Sequence, residues 1–411
     1  MKTDRCHKKG SAVSGTVVWT PLVAATLAAG LMPGIEVRGE GFRDPTSSAF
    51  ELGRAGGRIA QGDDASSVAA NPANLADLSA PEVEISPEAV YFRVQYQPLQ
   101  GPEVTSSDPW KFLPDVYGAL PIPHTPLTFG FGVTAPFGLS NEWPQNNPTT
   151  AVGFPYYASL MVINANPSLA WKINDRLKLG VGLDIFDSQL DLRITYPVGA
   201  PQYFGSGTGF GGNAGVTWEP FDGHRFAVTY RSPVGVDYSG TMSGLPPGNS
   251  PFTSAITFPT IVSTGYGVQV TKTIRLETDV EWIQFSRFGS LPLSAGSTPL
   301  QYGLPASIAE NWRDTFTFGL AGDWKFAPKW VLRGGYQFYQ TPVPSSTLSP
   351  AIPDANQNAI TVGIGYKAKH HGLELAYAAI LYNERDITTG PFAGKYQVSA
   401  HLISLSYRYS F

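Results

Sequence analysis

Apolar and polar residues alternate with a period of two along most of the sequence. In residues 177–185, apolar side chains occupy the odd positions, and Lys, Gly and Asp occupy the even ones. Residues 274–282 and 373–381 follow the same pattern. This period is the signature of β-strands. A strand with one apolar and one polar face fits a barrel with lipid outside and a polar lumen, although a soluble sandwich has the same pattern within a single strand.

Fourteen strands are predicted between residue 82 and the end of the chain. They begin near Glu82, Leu113, Leu127, Tyr157, Arg176, Phe210, His224, Thr257, Thr273, Trp312, Lys329, Gln357, Gly372 and Tyr396. Single-chain bacterial barrels have an even number of strands. The predicted fold is therefore that of an all-β membrane protein, a 14-stranded antiparallel transmembrane β-barrel.

The predicted connections alternate strictly between short and long. Short turns fall at residues 121–126, 172–175, 219–223, 271–272, 325–328 and 369–371. Long loops fall at residues 98–108, 136–155, 197–209, 239–254, 288–311, 341–355 and 383–395. Outer-membrane barrels have short periplasmic turns and long outer loops. The alternation therefore favours a barrel over a sandwich, which needs no such order.

The first 81 residues lack the strand pattern and divide into two parts. Residues 1–39 combine a positive start with an apolar run of small residues, which is typical of an export signal; a membrane anchor is the alternative. Residues 40–81 are small, polar and rich in Gly and Ala, so we expect a compact, partly helical segment. The predicted organisation is a signal peptide over residues 1–39, a separate segment over 40–81 and the barrel over 82–411.

The composition excludes several classes of protein. Only 15% of the residues are charged, compared with roughly 25% in soluble domains. Without residues 1–39 the chain keeps 23 Lys and Arg and 30 Asp and Glu, a net charge of −7 that argues against a nucleic-acid partner. The single cysteine, Cys6, lies in the predicted signal, so neither a disulfide framework nor thiol chemistry is expected.

Several short motifs follow one another in a recognisable order. Gly41-Phe42 opens the segment of residues 40–81, and Asn71-Pro72-Ala73 lies towards its end. They are followed by APFGL at 135–139, NPSLA at 166–170 and WRDT at 312–315. This ordered set resembles the FadL family of outer-membrane transporters for long-chain fatty acids, which has relatives for toluene and other hydrocarbons.

The resemblance implies a fourteen-stranded barrel whose lumen is closed by an N-terminal hatch (plug), here residues 40–81. It implies passive uptake of long-chain fatty acids or similar hydrophobic compounds. The molecule would be captured in an apolar outer groove, pass to a pocket in the lumen, move the hatch and leave sideways at a kink in the third strand. The alternatives are a hydrocarbon porter of the same fold, a general porin, which would lack the plug, and an outer-membrane lipid-modifying enzyme.

The resemblance also implies a location in the bacterial outer membrane as a monomer, in contact with its lipid and lipopolysaccharide. The last strand ends in Phe411, which is similar to the terminal signal that the barrel-assembly machinery recognises. No cofactor or metal is expected, because the calcium-like run at 354–358 lacks the Gly and Glu that complete such a loop. No enzyme is expected, because no His has a convincing Ser or Asp partner.

The candidate ligand-binding residues are apolar side chains near the N-terminus and in the long loops. By the resemblance, Phe42 would contact ligand in the inner pocket. The loop candidates are Phe137, Leu139, Trp143, Phe154 and Tyr156. Apolar surface exposed on outer loops would bind a hydrophobic molecule through burial, at roughly 25 cal/mol per Å². The alternative for each loop residue is the aromatic belt at the membrane interface, and the alternative for Phe42 is a flexible terminus.

Two further groups of residues concern the hatch and the exit. Asn71, Pro72 and Ala73 would hold the hatch turn, as a structural hinge first and a gating element second, because Asn bonds nearby backbone groups and Pro fixes φ. The candidate residues of the lateral-opening kink are Gly130, Gly132, Pro136 and Gly138. Pro and Gly weaken ladder pairing, as a sideways opening requires, and a plain strand end is the alternative.

Recognition of a carboxylate would need a cation in the lumen. The candidates on polar strand faces are Lys178, Arg193, Arg275 and Arg333. Arg275 alternates along its strand with acidic residues at 277, 279 and 281. This spacing favours salt bridging in the lumen over ligand binding at Arg275, and the sequence gives no basis for choosing among the other three.

Overall fold

The computed structural model describes residues 40–44, 46–145, 153–296 and 301–411. The predicted signal peptide, residues 1–39, lies outside the described residues. Most residues after position 81 lie in one large antiparallel sheet. Within the described ranges, no helix is long and apolar enough to cross a membrane.

Fourteen long strands form this sheet. They are β1 (Glu82–Pro98), β2 (Trp110–Pro121), β3 (Leu127–Glu142), β4 (Pro155–Lys172), β5 (Leu177–Ile194), β6 (Gln202–Phe221), β7 (His224–Arg231 and Val234–Ser243), β8 (Ser250–Phe258 and Ile261–Gln269), β9 (Ile274–Ile283), β10 (Thr315–Ala327), β11 (Trp330–Tyr339), β12 (Gln357–Lys367), β13 (His371–Tyr382) and β14 (Gly394–Ser410). Pro233 and Pro259 divide β7 and β8 into two segments each, because proline cannot donate to the ladder.

The strands follow chain order around a closed ring. Each strand pairs antiparallel with the next. β14 pairs with β1 along its length, from Glu82↔Ser410 to Pro98↔Gly394. Short turns and longer loops alternate around the ring, as predicted. The prediction of a closed antiparallel barrel of fourteen strands is confirmed.

The apolar faces of the strands point away from the lumen. On β13, Leu373, Leu375 and Leu381 are exposed on the outer surface, whereas Glu374 and Ala376 on the opposite face are buried. A sandwich would bury the leucines between its sheets, but on a membrane barrel they contact lipid. The polar faces therefore line the lumen.

Two strands begin earlier than the sequence pattern predicts. β6 begins at Gln202 rather than Phe210, so the loop before it is shorter than predicted. β8 begins at Ser250 rather than Thr257. Glycines at every second residue from 205 to 211 conceal the start of β6, because Gly is depleted in strands. They face the second segment of β7, Val234–Ser243. A Cβ on Gly207 would lie 2.1 Å from the backbone oxygen of Asp237 in this segment.

Residues 40–81, called the hatch segment from here on, lie inside the ring. Helix α1 (Ala49–Gly53) packs against β11 to β14. Helix α2 (Ser67–Ala70) packs against β3 and β4, and a 3-10 helix (Pro72–Asp77) packs against β3 to β6. These contacts with opposite sides of the ring place the hatch segment across the lumen.

An acidic stripe on β9 anchors the hatch segment. Glu277 pairs with Arg54 at 3.0 Å. Asp279 accepts a hydrogen bond from the backbone N–H of Arg58 at 2.7 Å, and Glu281 pairs with the Arg58 guanidinium. All these groups are buried. Removing one partner of a buried pair leaves an uncompensated charge, which costs about 3–5 kcal/mol. The alternating acids of β9 therefore act as structural anchors.

Candidate functional site

The first described residues form a strap that turns at Gly41 and lies against β3. This N-terminal strap consists of residues 40–44, and Arg43 and Phe137 form an antiparallel bridge between strap and strand. The Asp44 N–H donates to the Pro136 carbonyl at 2.9 Å. The Gly138 N–H donates to the carbonyl of Phe42 at 2.7 Å. The strap therefore bonds to β3 on both sides of this bridge, through Phe42 and Asp44.

The strap occupies an edge of β3 that β2 leaves vacant. β3 pairs with β2 only from Thr128 to Val133. Beyond Val133 its only partner among the barrel strands described is β4, after an irregularity between Thr134 and Phe137. A free strand edge presents unpaired backbone groups. The strap satisfies two of these groups.

The Phe42 ring lies at the centre of an aromatic cluster in the lumen. It stacks on Trp312 with ring centroids 4.8 Å apart and meets Phe288 edge to face at 5.4 Å. This inner aromatic cluster consists of Phe42, Phe137, Phe186, Phe258, Phe285, Phe288 and Trp312. Aromatic pairs contribute about 0.5–1.5 kcal/mol each beyond their buried area. An apolar ligand that inserts into this cluster would replace ring–ring contacts of Phe42 with its own apolar contacts to the same rings.

Two carboxyl groups flank the inner aromatic cluster. Glu310 accepts a hydrogen bond from the Trp312 indole N–H at 3.1 Å, and Glu40 accepts one from the Thr315 hydroxyl at 2.7 Å. Burial raises the pKa of Glu310 to about 8. Burial also raises the pKa of Glu40 to about 8, against the opposing effect of nearby Arg43. Both groups are therefore mostly uncharged at neutral pH, which suits their position beside apolar rings.

A second group of rings lies nearer the loop ends of the strands. This rim aromatic cluster consists of Tyr96, Trp143, Phe154, Phe392 and Tyr396. The carbonyl of Pro350, in the loop between β11 and β12, accepts hydrogen bonds from Asn141 Nδ2 at 2.7 Å and Trp143 Nε1 at 3.0 Å. This loop therefore covers the rim aromatic cluster.

The predicted loop residues connect the two clusters. Phe137 belongs to the inner cluster, Leu139 follows on the same face of β3, and Trp143 belongs to the rim cluster. Because a strand advances about 3.4 Å per residue, the path from Phe137 to Trp143 is about 20 Å long. Phe154 lies in the rim cluster, and Tyr156 lies on the inner face of β4. All five residues are buried, so the structure does not show the exposed outer groove expected for them.

A cavity with an empty volume of about 700 Å³ lies between the hatch segment and the barrel wall. Its lining includes Arg43 and Asp44 of the strap and Pro136 and Phe137 of β3. The cavity thus adjoins the inner aromatic cluster through Phe137 and the vacant edge of β3 through Pro136.

The turn at Asn71-Pro72-Ala73 anchors the hatch segment to β5 and β6. Asn71 Nδ2 donates to the Thr217 hydroxyl at 3.0 Å, and Asn71 Oδ1 accepts from the Ala73 N–H. A Cβ on Gly215 would lie 2.0 Å from Asn71 Oδ1, and a Cβ on Gly180 would lie 2.3 Å from the Ala73 nitrogen. The two glycines give the turn room to approach the wall.

The four residues predicted at the kink lie at two levels of β3. Gly130 and Gly132 lie where β3 is still paired with β2, and they leave room for side chains of the hatch segment. Pro136 and Gly138 lie at or beyond the irregularity, against the strap. The pairing between β2 and β3 therefore continues past the two glycines and ends at Val133.

Arg193, one of the four cations noted in the sequence, lies on the outward face of β5 with the exposed Leu183, so its prediction as a lumenal cation is wrong. All four cations are engaged in ion pairs. Their partners are Asp77 for Lys178, Asp191 for Arg193, Asp63 and Asp323 for Arg275, and Asp63, Asp323 and Glu374 for Arg333. Burial alone would raise the pKa of Asp63, but Arg275 holds that pKa well below its usual range. Salt bridging by Arg275 is confirmed, although its partners lie outside its own strand.

Five members of the inner aromatic cluster were not predicted as ligand-binding residues: Phe186, Phe258, Phe285, Phe288 and Trp312. Phe186 carries a usable signal, because it stands on the polar, lumen-facing side of β5. Phe285 and Phe288 lie in and beside a 3-10 helix, Phe285–Arg287, in the loop between β9 and β10. Strand periodicity says nothing about where side chains in such a loop point.

The comparisons with known proteins agree with this architecture. The model of the family described as outer membrane protein transport protein (OMPP1/FadL/TodX) matches residues 35–411. The long-chain fatty acid transport protein of Salmonella typhi is 25% identical over 421 residues, covering 90% of this chain and 94% of its own. The protein of the same name from Escherichia coli K12 is 23% identical over 429 residues, covering 90% of this chain and 94% of its own.

Solved structures show the same fold. A FadL homologue of Pseudomonas aeruginosa superposes with a TM-score of 0.81 at 20% identity, covering 90% of this chain and all of that one. The toluene transporter TodX of P. putida superposes with a TM-score of 0.71 at 16% identity, covering 89% of this chain and 98% of that one.

Proposed function

We propose, on the premise that this chain belongs to the OMPP1/FadL/TodX family of outer membrane transport proteins, that it carries hydrophobic compounds passively across the outer membrane. The proposed substrates are long-chain fatty acids and similar apolar molecules. The family consists of transport proteins, and the proposed passage involves no chemical reaction and no cofactor. The barrel closes within one chain, which supports a monomer.

The observation that carries the proposal is the position of the strap on the vacant edge of β3. Phe42 contributes its ring to the inner aromatic cluster and its carbonyl to the hydrogen bond with Gly138. A hydrophobic molecule that enters the cluster competes with the Phe42 ring for the same neighbours. Ligand binding is therefore coupled to the pairing between the strap and β3.

The rim aromatic cluster is the proposed site of capture. It lies near the loop ends of the strands, under the loop that carries Pro350. Movement of this loop would expose the rings of Trp143 and Phe154 to an incoming molecule. Burial of apolar surface provides affinity without specific polar contacts. The inner face of β3 then leads through Leu139 to the inner aromatic cluster.

The proposed exit lies between β2 and β3, beyond Val133. The ladder between these strands ends there, and the strap occupies the free edge. Once the strap leaves, a molecule in the adjoining cavity has a sideways path into the bilayer. Exit into lipid keeps an apolar molecule out of the aqueous periplasm, so transfer along this path is favourable.

Uptake by whole cells tests the proposed function. Host cells that lack their own FadL-type transporter would be given labelled fatty acids, alcohols and aromatic hydrocarbons, with and without this protein. We expect at least one class to accumulate faster in cells that contain the protein. The folded state in the outer membrane is checked by heat-modifiable mobility. Equal accumulation of every compound, with the protein folded in the membrane, would overturn the proposal.

A matched pair of variants tests the role of Phe42. Phe42→Ala removes the buried ring at the centre of the inner aromatic cluster, and we expect ligand binding to weaken by about tenfold or more. Phe210→Ala removes a ring that is 72% exposed on the outer face of β6, so binding should stay unchanged. Equal binding by the two variants would contradict the assignment of the inner cluster as the ligand site.

A further inference from the structure

A polar side chain without a partner lines the cavity between the hatch segment and the wall. Asn213, on the inner face of β6, is 7% exposed. Neither its Oδ1 nor its Nδ2 atom bonds to any of the described residues. A buried amide is normally hydrogen-bonded through these atoms, because leaving them unpaired in a protein interior is unfavourable. Asn213 therefore has an unused hydrogen-bond donor and acceptor, which a bound molecule would satisfy.

The cross-strand neighbours of Asn213 do not bond to its amide. Gly182 is its cross-strand partner on β5, and a Cβ there would lie 2.8 Å from Asn213 Oδ1. Arg231, the partner on β7, is engaged with Asp184 and with the Ala69 carbonyl. These contacts leave the cavity as the open side of the amide.

The two arginines that line the cavity beside Glu281 are already paired with it. Arg43 and Arg58 both pair with Glu281. Arg58 also donates to Gln337 Oε1 at 3.1 Å. Among the described lining residues, the only other buried side-chain atom without a hydrogen-bond partner is Glu51 Oε1. Recognition of a polar group in this cavity therefore falls mainly to Asn213, whose amide both donates and accepts hydrogen bonds.

The apolar end of the same space is the inner aromatic cluster. Phe137 lines the cavity and also contacts the Phe42 ring, with centroids 6.0 Å apart. Ile59 and Ile261 add apolar lining between the hatch segment and β8. One molecule can therefore place an apolar chain among the rings and a polar group beside Asn213.

We infer that the site takes amphipathic molecules, with an apolar part held by the inner aromatic cluster and an uncharged, hydrogen-bonding head group held by Asn213. Hydroxyl and protonated carboxyl groups are heads of this kind. The inference rests on the proposed function and narrows its substrate class. We therefore expect a hydrocarbon of the same length to bind more weakly than the molecule with a head group. Burial of apolar surface alone would give the opposite order.

The test compares two ligands that share a tail. Labelled 1-decanol and decane are titrated into the folded full-length protein in detergent, and each affinity is corrected for partition into micelles. We expect decanol to bind about tenfold more tightly than decane. Asn213→Leu, which has a similar volume and no amide, should lower decanol affinity to that of decane and leave decane binding unchanged.

Two further variants control this comparison. Asn358→Leu makes the same exchange on β12, where Asn358 accepts a hydrogen bond from the Tyr336 hydroxyl outside the cavity, and should keep the preference for decanol. Asn213→Gln keeps the amide and should retain part of the preference. A preference for decanol that persists in Asn213→Leu, or no preference in the unaltered protein, would overturn the inference and leave the proposed function standing. Binding of neither ligand by the folded protein would count against the proposed function itself.

Discussion

Different forces hold the two parts of the hatch segment. The later part, residues 46–81, is called the hatch body, and buried charges anchor it. Arg54, for example, lies 3.0 Å from Glu277 and 3.2 Å from Asp323. The N-terminal strap, residues 40–44, has two backbone hydrogen bonds to β3, the ring contacts of Phe42, and a pair between Arg43 and Glu281 at 2.6 Å.

This difference indicates which part can move during transport. An apolar ligand can replace the ring contacts of Phe42 without leaving any charge unpaired. When Arg43 leaves Glu281, that carboxylate keeps Arg58 as its partner. Removal of the hatch body would instead strip several buried carboxylates of their partners, at about 3–5 kcal/mol for each broken pair. We therefore propose that the strap is the movable part of the hatch segment and that the body is the fixed part.

The largest expected effect comes from Arg54→Met, which removes the link from the hatch body to β9 and β10. Arg54 is fully buried between Glu277 and Asp323, so the free energy of unfolding should fall by about 3–5 kcal/mol. Thermal unfolding followed by circular dichroism measures the change. Arg176→Met, in an exposed pair with Asp222, should leave the unfolding temperature almost unchanged. Equal shifts in the two variants would contradict the anchoring role of the buried pairs.

A smaller effect is expected from Gly215→Ala, which crowds the turn at Asn71. A Cβ on Gly215 would lie 2.0 Å from Asn71 Oδ1, so the turn must shift, with a loss of about 1–3 kcal/mol in unfolding free energy. Hydrogen exchange should speed up in residues 66–77. Gly235→Ala is the control, because a Cβ there has no neighbour within 4 Å among the described residues. Unaltered exchange in Gly215→Ala would show that the turn is not a fixed anchor.

The smallest effect is a loosening of the strap at higher pH. Burial raises the pKa of Glu40 from 4.5 to about 8 in the closed arrangement, and hydration after release would restore the lower value. Release then frees a proton, so it should become more favourable as the pH rises from 4.5 to about 8 and level off above that. Hydrogen exchange of residues 40–44, corrected for its intrinsic rate, measures the release.

Glu40→Gln provides the control for the pH effect. The Gln side chain does not titrate, so the pH dependence of strap exchange should weaken in this variant. Exchange in residues 46–81 should respond much less to pH in both proteins. A strap exchange rate that is independent of pH in the unaltered protein would contradict the link between Glu40 and release.

The barrel could be predicted from sequence because lipid imposes a simple rule on its strands. The alternation of Leu373 and Leu375 with Glu374 reports which face meets lipid. The start of β6 was missed because glycines such as Gly207 have no side chain to show a face. They are needed there for close packing against β7, which is a tertiary contact that local sequence does not report.

The site was less predictable than the barrel. Phe42 was found only through a family resemblance, and Phe137 and Trp143 were recognised as apolar without a sign that they would be buried. Phe288 was missed because its direction depends on the course of an irregular loop. Asn213 carries no signal in the sequence, because the lack of a hydrogen-bond partner is a property of the packed structure.

The proposed transport mechanism requires the strap to leave β3 before a molecule can pass. Paired substitutions Arg43→Cys and Phe137→Cys would place two thiols at the bridge between strap and strand. Antiparallel partners have Cα atoms about 4.5–5.5 Å apart, which suits a disulfide. The one natural cysteine, Cys6, would be replaced by Ser in every variant.

Uptake of a labelled hydrophobic compound would be compared in the oxidised and reduced forms of this variant, with disulfide formation checked by mass spectrometry. We expect cells with the oxidised form to take up the compound no faster than cells without the protein. Reduction should raise uptake above that level, although Phe137→Cys also removes one ring of the inner aromatic cluster. Equal uptake by the fully oxidised and fully reduced forms would contradict it, because passage would then occur with the strap fixed to β3.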